Sequence, residues 1–274
     1  MSYRSIAVYA GTDPQGSPAL SAAIDLATRM DAHLIGVAAE TMPPIYFGFD
    51  ADAVAGELYA SEREAAEHRL VAAEEMFRVR VPKTIGIEWH GFVGDPVDSL
   101  IGVAHRADLL VVPNWRSLVL SSSPRTIDAG ALALSAGRPV LALGENTPAF
   151  DPRTILIAWK NTREARRAVA DALPFLSTAS KVVAMTISEG DEGLERLNLD
   201  SLVAWLKRHG VNAQPEFVVT EGGYADIVAS WARANDIDLI VSGAYGHSRM
   251  REWLLGGMTR DLVEAHDLNR LLCN

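Results

Sequence analysis

The chain has 274 residues, of which 49% are apolar and 22% are charged, and its formal net charge is −10. This composition is typical of a globular protein and excludes a disordered or low-complexity chain. The negative charge argues against nucleic acid as a partner, because binding by phosphate neutralisation needs a dense Lys/Arg surface.

Cysteine content and apolar runs narrow the class further. Cys273 is the single cysteine, so no disulfide can form within the chain and a four-cysteine zinc site is excluded. No apolar run reaches the roughly 18 residues of a membrane span, and the first residues lack the pattern of a signal peptide. We therefore expect a cytoplasmic protein that has no membrane partner.

In the first half, five short apolar runs alternate with amphipathic segments. The predicted strands cover residues 6–9, 34–38, 85–89, 109–112 and 140–143. The first helix is predicted to start at Ser17-Pro18, since serine is a favoured N-cap and proline is favoured at the first helical position. A long charged helix is predicted over residues 57–80.

The stretch between Glu40 and Gly56 is rich in proline and aromatic residues and has no clear equivalent later in the chain. One interpretation is a packed surface loop. The other is a lid over a ligand or over the second half.

The second half repeats this plan from Arg153 onwards. Strands are predicted at residues 155–159, 182–185, 216–219, 239–241 and 270–273. Asn161 with Glu164 three residues later has the spacing of a capping box, which predicts Asn161 as the N-cap of the next helix. A further helix is predicted over residues 194–209.

Strands that alternate with helices predict parallel pairing through right-handed crossovers. We therefore expect two doubly wound, Rossmann-like α/β domains, each with a five-stranded parallel sheet, at residues 1–146 and 153–274. The segment Gly144–Pro152 has no hydrophobic periodicity and is predicted to be the linker between the two domains. Two similar halves are expected to pack as an intramolecular pseudo-twofold dimer, and a further homodimer is left open.

A glycine motif follows the strand predicted at 239–241. Gly243 and Gly246 are separated by two residues, Gly256 comes after nine more, and Gly257 follows directly. Ligands of open α/β sheets bind beyond the carboxyl ends of the strands, and glycines there let the backbone approach a phosphate. The helix predicted to begin near Met258 would supply free N–H groups to an anion.

The motif and the repeated five-strand plan resemble the universal stress protein family, whose motif is Gly, two residues, Gly, nine residues, Gly and then Ser or Thr. The resemblance identifies the chain as similar to the tandem, two-domain members, with an adenine nucleotide α-hydrolase-like fold. It implies ATP or another adenine nucleotide as ligand, with Mg²⁺ bound only through the nucleotide. The resemblance implies phosphate contacts at the three glycines and just after them, and His247 lies inside the same loop.

Two positions of the second half depart from the family pattern. Gly257 stands where the family has Ser or Thr, which keeps a backbone donor but loses a hydroxyl, and Thr259 lies two residues further on. Trp159-Lys160 stand where nucleotide-binding members have an aspartate near the ribose and base. A lysine cannot accept hydrogen bonds from ribose but can pair with a phosphate.

The first half departs further. Pro113 stands where the first glycine of the motif would be, and no glycine occurs between Pro113 and Gly130. We therefore expect a degenerate ligand loop in the first half.

Two functions from different classes follow from these residues. The first is a stress-response factor that binds an adenine nucleotide or a related phosphate-bearing ligand in its second half. The alternative is a nucleotide-independent stress scaffold that binds protein or apolar small-molecule partners. The chain carries no HExxH, Walker A or GxSxG sequence, so we expect no metal site, nominate no catalytic residue and anticipate at most slow ATP hydrolysis.

Overall fold

Strands from both halves of the chain join in a single ten-stranded sheet in the computed structural model. The structure describes residues 2–12, 17–42, 52–113, 127–144, 147, 150–188, 192–220, 222–244 and 267–274. The strand order is β3-β2-β1-β4-β5-β10-β9-β6-β7-β8, so the order of the first half is repeated in reverse by the second. This confirms the predicted α/β fold with parallel strands in each half, and the two five-stranded sheets are joined into one.

The strands of the first half are β1 (Ser5–Tyr9), β2 (His33–Glu40), β3 (Ile87–Val93), β4 (Leu109–Pro113) and β5 (Val140–Leu143). Those of the second half are β6 (Thr154–Ala158), β7 (Lys181–Ser188), β8 (Ala213–Val219), β9 (Leu239–Gly243) and β10 (Arg270–Cys273). Most central strands are buried on both faces, as expected for parallel strands covered by helices.

The helices of the first half are α1 (Pro18–Met30), α2 (Asp52–Arg80), α3 (Pro96–Val103) and α4 (Ala129–Ser135), with a 3₁₀ turn at Ala104–Arg106. Those described in the second half are α5 (Arg163–Asp171), α6 (Leu173–Leu176), α7 (Glu192–Arg208) and α8 (Tyr224–Ala234). The helix expected to begin near Met258 lies outside the described residues. No helix in the described part of the chain is long and apolar enough to span a membrane.

The two halves meet at an antiparallel pair of strands. Leu271 of β10 lies opposite Leu141 of β5, whereas the other strand pairs of the sheet are parallel. Both side chains are fully buried. An antiparallel pair between equivalent strands is the arrangement that a twofold relation between the halves would generate.

The repeat extends to individual hydrogen bonds. Asp108, just before β4, accepts hydrogen bonds from the backbone N–H groups of Arg4 and Ser5. Asp238, just before β9, accepts the same pair of bonds from Arg153 and Thr154. Each aspartate therefore holds the start of the first strand of its half beside the fourth, which explains why an aspartate precedes a buried strand in both copies.

Aromatic side chains pack the junction between the halves. Tyr3 contacts Phe175 with ring centroids 5.5 Å apart, and its hydroxyl donates to the carbonyl of Asp171 at 2.5 Å. Phe150, in the predicted linker, meets Phe175 edge-on. Burial raises the pKa of the Tyr3 hydroxyl well above its ordinary value, so the phenol stays neutral in this interior.

Several predicted boundaries were wrong by a few residues. The third strand, expected at 85–89, is β3 at Ile87–Val93. Residues 52–56, assigned to the Pro-rich loop, belong to the start of α2, and residues 43–51 of that stretch lie outside the described residues. The error at β3 falls where half-exposed residues give no strong apolar periodicity.

The N-cap of α5 is also corrected. Thr162, and not Asn161, caps the helix, with its side chain accepting from the N–H of Ala165 at 3.2 Å. The Asn161 side chain instead donates to Oδ1 of Asn198 on α7 at 2.9 Å. A contact with a distant helix therefore displaced the cap by one residue.

Candidate functional site

The carboxyl ends of β6 and β9 form a crevice in the second half. These strands are neighbours in register, with Ala158 opposite Ser242, and Trp159 and Gly243 are the residues that follow this last pair. The chain passes from β6 to β7 and β8 on one side of β6 and returns to β9 on the other side. Such a reversal of strand order is where open α/β sheets bind ligands.

Gly243 lies against the first turn of α5. A Cβ at this position would stand 2.6 Å from the backbone nitrogen of Ala165 and 2.8 Å from the carbonyl carbon of Glu164. Real Cβ atoms essentially never come within 3.0 Å of another heavy atom. The first glycine of the motif is thus required by close packing of a helix on a strand, whatever ligand the loop binds.

A buried carboxylate lies beside this glycine. The Glu164 side chain is only 3% exposed, and its Oε1 accepts from Nε of the neighbouring Arg163 at 3.1 Å. Glu164 sits in the first turn of α5, where the helix dipole stabilises negative charge. The end of α5 nearest Gly243 therefore already carries an anionic side chain of its own.

Trp159 is an internal residue. It is 8% exposed and packs in the same apolar cluster as Val169 of α5 and Leu199 of α7. Its backbone N–H donates to Met185 on β7 at 2.7 Å. Within the part of the chain that the structure describes, the indole Nε1 is buried and has no hydrogen-bond partner.

Lys160, which follows Trp159, is exposed at the mouth of the crevice. The hydrogen bond between Asn161 and Asn198 joins the same segment to α7. One turn before Asn198, Oε2 of Glu195 is also buried without a hydrogen-bond partner among the described residues. Neither Glu164 nor Glu195 was expected at the site from sequence, because nothing in the chain predicts which helix faces approach the strand ends.

The equivalent crevice of the first half is built from different residues. Ala10 takes the place of Trp159, since its N–H donates to Val37 on the second strand just as that of Trp159 does to Met185. Pro113 ends β4 where Gly243 ends β9. The first half therefore lacks both the large side chain and the close-packed glycine of the second.

The remaining predicted site residues lie outside the described residues. They are Gly246, His247, Gly256, Gly257, Met258 and Thr259. Their roles stay predictions. Among the residues that are described, no three His, Cys, Asp or Glu side chains are grouped so that they could hold a metal ion.

This chain matches known proteins in its three-dimensional structure but not in its amino-acid sequence. No protein-family model and no curated protein matches the chain. A universal stress protein from Archaeoglobus fulgidus matches with a TM-score of 0.67 and 14% identity, over 98% of this chain and 96% of its own. A putative universal stress protein from Pseudomonas aeruginosa matches with a TM-score of 0.62 and 18% identity, over 99% of this chain and 93% of its own.

A functionally unknown protein from Pseudomonas aeruginosa matches at a TM-score of 0.58 and 17% identity, over 99% of this chain and 92% of its own. In each of the three, the match runs through both halves of the chain. The strand order of the sheet and the three structural matches indicate the same fold. The chain therefore has the fold of the universal stress proteins along about 98% of its length.

Proposed function

We propose that this protein is a tandem universal stress protein that binds an adenine nucleotide, or a related phosphate-bearing ligand, in its second half and acts in the stress response. Its two domains would be residues 1–146 and 153–274, packed as an intramolecular pair. Mg²⁺ would enter only with the nucleotide.

The observation that carries the proposal is the position of Gly243. It ends β9 at the reversal of strand order, one residue beyond the last pair with β6, and begins the glycine motif. The first half has Pro113 at the matching place, which supports the second half as the ligand-binding one. Lys160, exposed at the mouth of this crevice, is the side chain that would pair with a phosphate.

Two observations favour the second candidate, a nucleotide-independent scaffold for protein or apolar partners. The tight contact with α5 accounts for Gly243 without any ligand. The Glu164 carboxylate, ion-paired with Arg163, already occupies the first turn of α5 beside Gly243, where the helix dipole would otherwise favour a bound anion.

Calorimetric titration of ATP with Mg²⁺ separates the two functions. The proposal predicts saturable heat for the wild-type protein and none for Gly246→Val, because the added side chain blocks approach of the backbone to phosphate. Gly56→Val is the matched control, since Gly56 lies on α2 and an added Cβ there meets no described atom within 4 Å. Absence of heat at millimolar nucleotide, in a folded sample free of co-purified ligand, would support the scaffold instead.

A further inference from the structure

The ten-stranded sheet has two outer edges, β3 in the first half and β8 in the second, and no described strand pairs with the outer side of either. An edge strand presents backbone N–H and C=O groups to any chain that can lie beside it, and natural proteins commonly block such edges with proline. Whether an edge is blocked depends on which residues turn their backbone groups outward.

The edge of β8 is blocked by a proline. The N–H of Thr220 donates to the carbonyl of Ser188 on β7 at 3.0 Å. Backbone groups alternate in direction along a strand, so the even-numbered residues of β8 face β7 and Pro215 lies among those that face outward. Because proline has no N–H, the middle of this edge lacks a donor that an added strand would need.

The edge of β3 has a complete row of backbone groups. The N–H of Leu34 on β2 donates to the carbonyl of Gly86, and the N–H of Gly94 donates to the carbonyl of Glu40 on β2, both at 2.9 Å. The even-numbered residues of this segment therefore face β2, by the same alternation. The outward-facing residues, each with both an N–H and a C=O, are Ile87, Trp89, Gly91 and Val93.

An anionic side chain and a histidine lie next to each other on one face of β3. Nε2 of His90 lies 2.8 Å from Oε1 of Glu88, and Nη1 of Arg106 donates to the same oxygen at 2.7 Å. All three side chains are partly exposed. The edge therefore carries a carboxylate and an imidazole two residues apart, which can complement each other across a twofold axis.

The position of that axis decides which side chains would meet if two copies of β3 paired antiparallel. With the axis at Trp89, Glu88 of each copy lies opposite His90 of the other, on the same face of the sheet. With the axis at Glu88 or at His90, each of these side chains meets its own copy. Opposite charges directly across an antiparallel pair are stabilising and like charges are destabilising, so the register centred on Trp89 is favoured.

The helix that covers this edge leaves room for a second copy. A Cβ at Gly91 on β3 would lie 3.3 Å from Cβ of Leu70, and Arg69 forms an ion pair with Glu40 on β2 at 3.0 Å, so α2 lies over both strands. With strands about 4.8 Å apart, two α2 helices related by the axis would lie about 10 Å apart, which is a normal distance for packed helices. Val71, on the flank of α2 opposite Arg69, is 58% exposed and would be covered there.

We propose that this protein forms a homodimer through β3, which pairs antiparallel with β3 of a second copy about an axis at Trp89. The occupant of the edge is a second copy because the charges of this strand complement themselves. Pro215 keeps the opposite edge closed, so assembly stops at two chains. The proposal does not depend on nucleotide binding.

Sedimentation over a range of concentrations tests the dimer. Gly91→Pro removes an outward N–H and should weaken the dimer about tenfold or more relative to Gly91→Ala, because the axis repeats each lost hydrogen bond. Gly91→Ala is the matched control, since it adds the same Cβ and keeps the N–H. Val219→Pro makes the same kind of change on the outer side of β8 and should leave the dimer as strong as in the wild type.

Disulfide formation between chains tests the register. Glu88→Cys chains mixed with His90→Cys chains should give a covalent dimer on mild oxidation, because opposed residues of an antiparallel pair have Cβ atoms about 4.5–5.5 Å apart. Either variant alone should crosslink poorly, since its cysteines lie diagonally across the axis. The native Cys273 is buried and serves as an internal control for adventitious crosslinking.

Three results would overturn the proposal. One is a wild-type protein that sediments as a monomer at its highest soluble concentration. The second is a dimer that Gly91→Pro weakens no more than Gly91→Ala does. The third is crosslinking of a single variant that equals that of the mixture, which would exclude the axis at Trp89. Circular dichroism checks that each variant is folded.

Discussion

At the scale of single residues, Gly243 shows that a motif position can have a structural role and a proposed binding role together. Its Cα faces the backbone of α5 so closely that no side chain fits without movement. The atoms that a Cβ would meet belong to the backbone and cannot rotate away. The glycine would therefore be retained even in a relative that had lost its ligand.

Gly243→Ala should destabilise the protein by about 1–3 kcal/mol, the usual cost of overpacking. The measurement is the free energy of unfolding in urea. Gly102→Ala is the control: Gly102 lies within α3, an added Cβ meets nothing described within 4 Å, and helical glycine is less favourable than alanine by about 0.5–1 kcal/mol. Equal stabilities for the two variants would show that α5 leaves room for a side chain at position 243.

Residue-level prediction from sequence succeeded where the signal was local. The place of Gly243 at the end of a buried strand follows from the apolar run before it. Its contact with Ala165 joins residues far apart in the chain, and no spacing in the sequence reports it. The same holds for Glu195, which looks like an ordinary charged residue of a solvated helix, although the fold buries its Oε2.

At the scale of elements, helix starts were predicted well when the cap acts alone. Ser17 caps α1 as expected, accepting from the N–H of Leu20 at 3.2 Å. At α5 the cap moved to Thr162 because Asn161 is engaged by Asn198. Edge strand β3 was misplaced because its half-exposed residues lack a continuous apolar run.

Ser17→Ala should lower the free energy of unfolding by about 1 kcal/mol, since an N–H of the first turn of α1 loses its acceptor. Thermal or urea unfolding measures it. Ser201→Ala provides the control, because Ser201 is exposed in the middle of α7 and caps nothing; its effect should stay within about 0.5 kcal/mol. A Ser17→Ala variant as stable as the wild type would mean that another group caps α1.

At the scale of the whole molecule, the seam between β5 and β10 makes one sheet from two repeats. Alternation of strands and helices was enough to predict a parallel sheet in each half, and the halves were expected only to pack as a pseudo-twofold pair, not to join their sheets. Which strand lies at the seam, and in what register, depends on side chains from both halves. The fully buried leucines at positions 141 and 271 are central to it.

We therefore expect residues 1–146 and 153–274, produced together as separate chains, to purify as a complex through this seam. Leu141→Lys should abolish co-purification, because it places an ammonium group opposite Leu271 in an apolar interior. Leu134→Lys is the matched control, since Leu134 is 38% exposed on α4. Recovery of the complex with Leu141→Lys would show that the halves associate by another surface.

The most direct test of nucleotide binding in the second half is a crystal structure of the protein grown with saturating ATP and Mg²⁺. We predict one nucleotide per chain, with its phosphates beyond Gly243 at the end of β9, and none at the strand ends beside Ala10 and Pro113 in the first half. Nucleotide bound only in the first half, or no nucleotide in either crevice, would contradict the account.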